Sequence, residues 1–376
     1  MVNYVFLSVY FYSVPNLRFT NNQLKDFKIV DICKLKQGNQ YDLKQQFTEE
    51  KSDLKRFIRI IDYTQKTNDI RYVYSNGSEN YVDCTDVVVV RYGASAGYVG
   101  RGINGIIANN LFTIRPINSA LLNKSYLYHY LNAPVIQKQL NNTQSSGMPA
   151  LNFQTINNLH ILLPEYQEQR QIAVFLDKID ERIQTQIKII DSYFSLSKAI
   201  SNTLIGQSKG NTRLRECLNC YSSNTMESVI KQEDLGDYPV YGANGIIKKI
   251  NNYEIEYPSI AIVKDGSGVG KMFKLSGKYS ILSTLNYLTS KPGYDIDYIY
   301  YALKQKSLKK YVVGSGIPHI YFKDYEQEKI YIPQNELQQQ NITSVLQSID
   351  EEIGNEIKQL KNYELLKKYL LKNMFV

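Results

Sequence analysis

Apolar residues recur along two stretches of this chain with the same unusual spacing. Ile172, Leu176, Ile179, Ile183, Ile187 and Ile190 lie 4-3-4-4-3 apart, and Ile342, Leu346, Ile349, Ile353, Ile357 and Leu360 repeat that spacing 170 residues later. An alternating 3/4 pattern draws one narrow stripe along a helix, the seam of a coiled coil, and the extra 4 is a stutter. The pattern predicts two long helices, over 164–208 and 333–376, each of about 37–40 residues and about 55–60 Å. Two unrelated amphipathic helices would not share a stutter in register, so the chain contains an internal duplication.

The segments that lead into the helices repeat as well. Residues 146–164 read SGMPALNFQTINNLHILLP and residues 315–333 read SGIPHIYFKDYEQEKIYIP, with Ser, Gly, Pro, Phe and Pro in common at an offset of 169. Upstream of each, β-type patterns dominate. Phe27 and Ile29 alternate with Lys28 and Val30, RFIRIIDYT (56–64) is β-rich, and 86–116 reads as a buried strand, a small-residue loop and further strands. SYLYHYLNAPVIQKQLNN (125–142) reads as a short helix interrupted near Pro134, answered by DYIYYALKQKSLKKYV (297–312). Gly93 and Gly97 find counterparts in Gly266 and Gly270, and a Gly/Ser/Asn-rich hinge lies between 205 and 215. The expected architecture is α+β: globular modules at 1–163 and 209–332, helical spacers at 164–208 and 333–376, and a pseudo-two-fold repeat. The two helices would pair as an antiparallel coiled coil.

Charge sharpens this picture. The net charge is +8, and residues 1–163 hold 17 Lys+Arg against 11 Asp+Glu. Residues 210–332 hold 16 against 13, while the helical segments are neutral or nearly so (6 against 6, then 5 against 6). Two basic modules on a neutral spacer suit a polyanion touched at two places. Four cysteines in 376 residues make no disulfide framework. The start, MVNYVFLSVYFYSVP, lacks a basic n-region and is too short to span a bilayer, so it reads as a strand and the protein as cytoplasmic, with no membrane.

Catalytic chemistry finds no foothold. DGSGVGKM (265–272) resembles a Walker A loop, but Asp265 stands where a glycine is needed and Met272 where a Ser or Thr would hold magnesium. Cys217 and Cys220 form a lone CxxC without further ligands nearby, and His319 has Ala150 as its repeat partner. Asp180 and Asp350 recur, but each follows a seam residue and is expected on a solvated flank. Binding is better served. Glycine loops after buried strands let a backbone approach DNA closely, and Tyr, Asn, Ser, Arg and Lys supply contacts to phosphates and base edges. The physical candidates for DNA contact are Arg91, Tyr92, Ser95, Arg101, Ser145, Ser146 and Met148 in the first module. In the second they are Tyr241, Asn244, Lys264, Ser267, Lys271, Ser315, Ile317 and His319.

Taken together, these residues resemble the specificity (S) subunit of type I restriction-modification systems across essentially the whole chain. The carriers are VPNLRF (14–19), the strand-plus-glycine loops at 86–97 and 258–270, the paired SG(M/I)P segments with their Gln-rich helix starts, and KKYLLKNMFV (367–376). The resemblance implies two target-recognition domains, each reading half of a bipartite, asymmetric site in double-stranded DNA, with the helices as a ruler for the gap. It implies docking of modification (methyltransferase) subunits, two of them, on the helices, with restriction subunits joining through the complex. It implies no catalytic activity for the chain itself; no cofactor is expected, and the lone CxxC and scattered histidines leave no metal site. A coiled-coil adaptor whose basic modules bind nucleic acid without sequence preference is the competing reading.

Overall fold

A computed structural model describes residues 17, 19, 24–65, 67–141, 149–230 and 236–375. The N-terminal run expected as a strand lies outside them, save for Leu17 and Phe19. The chain divides into two compact units, residues 1–187 with 358–376, and residues 188–357. Each unit thus holds one module together with parts of both long helices.

In the first unit β1 (Cys33–Gln37), β2 (Val87–Val90), β3 (Val99–Gly100) and β4 (Leu111–Pro116) form an antiparallel sheet in the order β1-β4-β2-β3. β2 reads Val-Val-Val-Val because both of its faces are covered. Val87 and Val89 enter a core shared with α1 (Lys124–Leu131) and the long helix α2 (Tyr166–Ser201), while Val88 and Val90 enter a second core with Ile58 and Ile107. A second sheet, ordered Arg71–Tyr74, Leu54–Ile58, Gly105–Ile107, Tyr81–Val82, supplies that other side.

The second unit repeats the plan. β5 (Leu218–Ser222), β6 (Ser259–Val263), β7 (Met272–Leu275) and β8 (Leu285–Ser290) are ordered β5-β8-β6-β7, again antiparallel. Ile260 and Ile262 of β6 face the core holding α3 (Ile296–Lys304) and the long helix α4 (Glu336–Met374), and Ala261 and Val263 face the opposite core.

Hydrogen bonds repeat with the residues. Tyr126 Oη donates to the carbonyl of Leu162, and Tyr298 Oη to that of Tyr331. Gln169 and Gln339 are both buried and reach back to the carbonyls of Pro164 and Pro333 at 3.0 and 2.8 Å. The glutamine-rich helix starts therefore satisfy carbonyls of the segment that precedes each helix, groups that burial would otherwise leave unpaired.

The long helices run 36 and 39 residues. Over 172–183 and 342–353 their burial is the same residue for residue. The stripe is shared between partners rather than kept for helix-to-helix contact alone. Ile172 and Leu176 join the core of the first module together with Leu370, Leu371, Met374 and Phe375 from the end of α4. Ile342 and Leu346 join that of the second with Ile205, just beyond the end of α2. Ile179 and Ile349 are half-buried, and Ile183 and Ile353 buried. Beyond the stutter the copies diverge: Ile187 is half-buried and Ile190 buried, whereas Ile357 is 46% exposed and Leu360 half-buried.

Three local expectations are corrected. The alternation at 27–30 does not continue as a strand, because Lys25–Lys28 gives way to a helical turn, Ile29–Ile32, that buries Ile29 and Ile32 at i and i+3. The run at 56–64 is strand only to Ile58 and then helix, Ile60–Thr64, whose start is capped by the Asp62 carboxylate accepting from the Arg59 amide at 2.7 Å. Asp180 and Asp350 are not on a solvated flank. Asp180 pairs with Lys367 at 2.5 Å and Arg101 at 3.5 Å, and Asp350 accepts from Tyr301 Oη at 3.0 Å. A helix packed against a module as well as a helix buries a second face, which the seam alone did not reveal.

Candidate nucleic-acid interface

Each glycine loop is a tight turn closed at both ends by the strand it leaves. Gly97 N donates to the carbonyl of Val90 and Gly270 N to that of Val263, both at 2.9 Å. Gly93, Gly97, Gly266 and Gly270 all have φ between +83° and +91°, where a side chain is strained. At Gly97 space is short too, since a Cβ would stand 2.5 Å from Asn141 Oδ1.

The loop is then zipped to the SGxP segment. Gly93 N donates to Pro149 O (2.9 Å) and Leu151 N to Arg91 O (2.8 Å); Gly266 N donates to Pro318 O (2.8 Å) and Ile320 N to Lys264 O (2.9 Å). Tyr92 thereby bridges Ala150, and Asp265 bridges His319. The two motifs that the sequence singles out 55 residues or so apart form one composite edge in each module. That is the strongest geometric feature common to both copies.

What the edges display differs. In the second module Ser267, Lys271, Ser315 and Ile317 are exposed, Ile317 at 71%. Lys271 Nζ donates to Asn244 Oδ1 at 3.1 Å, which adds the hairpin turn between Tyr238–Gly242 and Gly245–Ile250 to the same edge. His319 is half-buried and structural: its backbone pairs with Val313 in both directions, and its ring packs on Tyr321. Lys264 is half-buried and contributes its backbone. Tyr241 stands elsewhere, lining a cleft with Phe273, Tyr300 and Asp350.

In the first module Arg91 is held rather than free. Its guanidinium lies 4.7 Å from the Tyr92 ring centroid and 4.3 Å from that of Phe153, and it donates to Gln37 Oε1 at 2.8 Å. Ser95 sits in the turn, beside a cleft of about 620 Å³ lined also by Tyr63, Tyr98, Gln137, Asn141 and Pro149. Ser145, Ser146 and Met148 lie outside the described residues. Arg101 faces α2 instead of the loop edge: it meets Asp177 at 2.5 Å and Asp180 at 3.5 Å, donates to Ser125 Oγ at 2.6 Å, and stacks over Tyr128 at 3.9 Å.

Around Arg101 stands a half-buried cluster that sequence reasoning missed. The Asp177 carboxylate accepts from Ser125 Oγ (2.7 Å) and lies 2.8 Å from His129 Nε2, whose ring is fully buried. Burial pushes the Asp177 carboxyl up, but hydrogen bonds from His129, Arg101 and Ser125 outweigh it and hold the group well below the usual carboxylate range. Burial also pushes the His129 imidazole below its ordinary value of 6.5, against the pull of Asp177. The consistent arrangement is a neutral imidazole whose Nε2–H donates to an ionised Asp177, with Arg101 balancing the charge. The only sequence signal was that residue 177 falls on the flank of the stripe, three before Asp180.

Cys217 is buried, and burial raises its thiol to about 12 and that of Cys220 to about 11. Among the described residues no cluster of three or more His, Cys, Asp or Glu is placed to hold a metal ion, and no helix is long and apolar enough to cross a membrane.

Comparison with known proteins bears on the family and the fold. The family described as "Type I restriction modification DNA specificity domain" matches twice, over residues 21–191 and 212–362. The specificity subunit of the type I restriction enzyme MjaVIII from Methanocaldococcus jannaschii is 34% identical over 169 residues, covering 41% of this chain and 39% of that protein. The match thus spans about two fifths of the curated relative's length. Among solved structures, the S subunit of a type I restriction-modification system from M. genitalium superposes with a TM-score of 0.67 at 18% identity, covering 97% of this chain and 99% of the other. A chain from a study of complex assembly and conformational transition of the type I R-M system reaches 0.51 at 14% identity, over 93% and 96%. At these identities the superpositions establish the fold.

Proposed function

This chain belongs to the type I restriction-modification DNA specificity family, whose domain it carries twice, and from that premise we propose that each module reads one half of a bipartite, asymmetric site in double-stranded DNA. The long helices set the gap between the half-sites and offer the surface on which methyltransferase subunits dock. Restriction subunits join through that complex in the cytoplasm, and the chain itself contributes recognition and no chemistry.

The observation that carries this reading is the composite edge. One backbone framework, a glycine loop zipped to an SGxP segment, occurs in both modules, while the side chains it displays differ. A common scaffold with variable display suits two readers of unlike half-sites. Backbone contacts place such a protein on DNA, and side chains at base edges give it preference. The excess of basic residues in both modules supports a polyanionic partner.

The test uses the full-length protein and DNA libraries at several salt concentrations. Lys271→Ala removes a charge from the edge, so binding should weaken for all sequences and the log–log salt slope should fall by about 1. Ile317→Ala removes an exposed apolar side chain suited to a thymine methyl. It should leave the salt slope unchanged and relax preference within a single half-site. If the unmodified protein binds every sequence alike and Ile317→Ala changes nothing, the sequence-blind adaptor is the better account.

A further inference from the structure

The half-buried cluster around Arg101 has a counterpart in the second unit, position for position, but its acid has changed sides. Ser125 of α1 corresponds to Asp297 of α3: each donates its amide N–H to the side-chain oxygen of the N-cap residue two before it, Asn123 Oδ1 or Asp295 Oδ1. By the same register His129 corresponds to Tyr301, Arg101 on the edge of β3 to Lys274 of β7, Asp177 to Gln347, and Asp180 to Asp350.

In the first unit the helix supplies the anion. Asp177 of α2 takes hydrogen bonds from Ser125 and His129 and an ion pair from Arg101 of the module. In the second unit the module supplies it. Asp297 of α3 accepts from Gln347 Nε2 of α4 at 3.1 Å and pairs with Lys274 at 3.4 Å, while Tyr301 donates to Asp350. The formal charge over the five positions is the same in both units, one base and two acids. Only its partition between module and helix differs.

We propose that these five positions form a pairing key by which each module accepts its own long helix and rejects the other. The second module placed on the first helix would set Asp297 against Asp177 and leave Lys274 as the one base among three acids, Asp297, Asp177 and Asp180. The first module on the second helix would leave Arg101, Ser125 and His129 without the anion that organises them. Like charges brought together in a half-buried contact, and donors left unpaired, are the costs that enforce such a choice. The key acts within each unit and holds whether or not the modules read DNA, so it stands or falls separately from the function proposed above.

The experiment is a double-mutant cycle on the full-length protein, followed by thermal melting and by hydrogen exchange of α3. Gln347→Asp places a second carboxylate beside Asp297 and should lower the melting temperature of the second unit by about 4 °C. Adding Asp297→Ser moves the acid to the helix side, as in the first unit, and should restore most of that loss and the exchange protection of α3. Gln347→Met removes the amide without adding charge and should cost clearly less than Gln347→Asp, which keeps the test informative if the charged variant folds poorly. A melting temperature unchanged in Gln347→Asp, a double variant no better than the sum of its singles, or equal losses for Met and Asp would each overturn the key.

Discussion

His129 and Asp177 show how a pair can favour folding while both groups titrate downwards. Asp177 keeps its charge because three donors converge on it, and His129 stays neutral because its ring is wholly buried and its Nδ1 has no partner among the described residues. The signs follow from linkage. A base whose folded pKa lies below its ordinary 6.5 binds a proton more readily when unfolded, so its contribution is lost as pH falls below about that value. A depressed carboxylate contributes above the ordinary carboxylate range and loses that contribution as pH falls through the lowered value. Both therefore make the first unit weaker in acid, and His129, whose ordinary value lies nearest neutrality, begins its loss at a higher pH than Asp177. His129→Gln retains a donor to Asp177 but does not titrate, so the melting temperature of the first unit should vary less between pH 7 and 5 than in the unaltered protein. An undiminished pH dependence in that variant would remove His129 from the account. None of this was legible in the sequence. The partners of Asp177 lie 48, 52 and 76 residues away, and the repeat carries different residue types at the same places, so nothing recurred to draw attention to them.

At the scale of elements, what recurred was what could be read. The 4-3-4-4-3 spacing located both long helices, and the glycine pairs and SGxP segments located the loop edges, because each requires specific residues for a backbone reason. The short helical turns were less legible. Ile29–Ile32 follows a period-2 run and is decided by the burial of Ile29 and Ile32, and Ile60–Thr64 is decided by a cap from Asp62. The stripe also misled in one respect, since its first residues pack into the modules as well as against the other helix. The helical spacer nonetheless allows a direct prediction about gap length. Inserting four residues near Thr185, with a matched insertion at Asn355, adds about 6 Å of helix, roughly two base pairs. The recognised gap should lengthen accordingly with both half-sites unchanged, as read from the DNA sequences the variant selects. An unaltered gap would remove the helices as a ruler.

For the whole molecule, the duplication ties these observations together. Two copies of one fold share their strand order, their tyrosine and glutamine bonds to the backbone and their zipped loops, and differ in the side chains displayed on those loops. A protein built to hold two copies of one identical target would have no need for that divergence. A reader of an asymmetric site requires it. The basic surplus in both modules and the near-neutral helices fit the same division of labour. The most direct measurement is to purify the tagged full-length protein from its own host and to map methylated adenine across that genome. The account predicts co-purification of an adenine methyltransferase and methylation at a split motif whose halves differ, lost when this chain is deleted. A chain that purifies alone, in a genome whose methylation shows no split motif and does not change on its deletion, would contradict it.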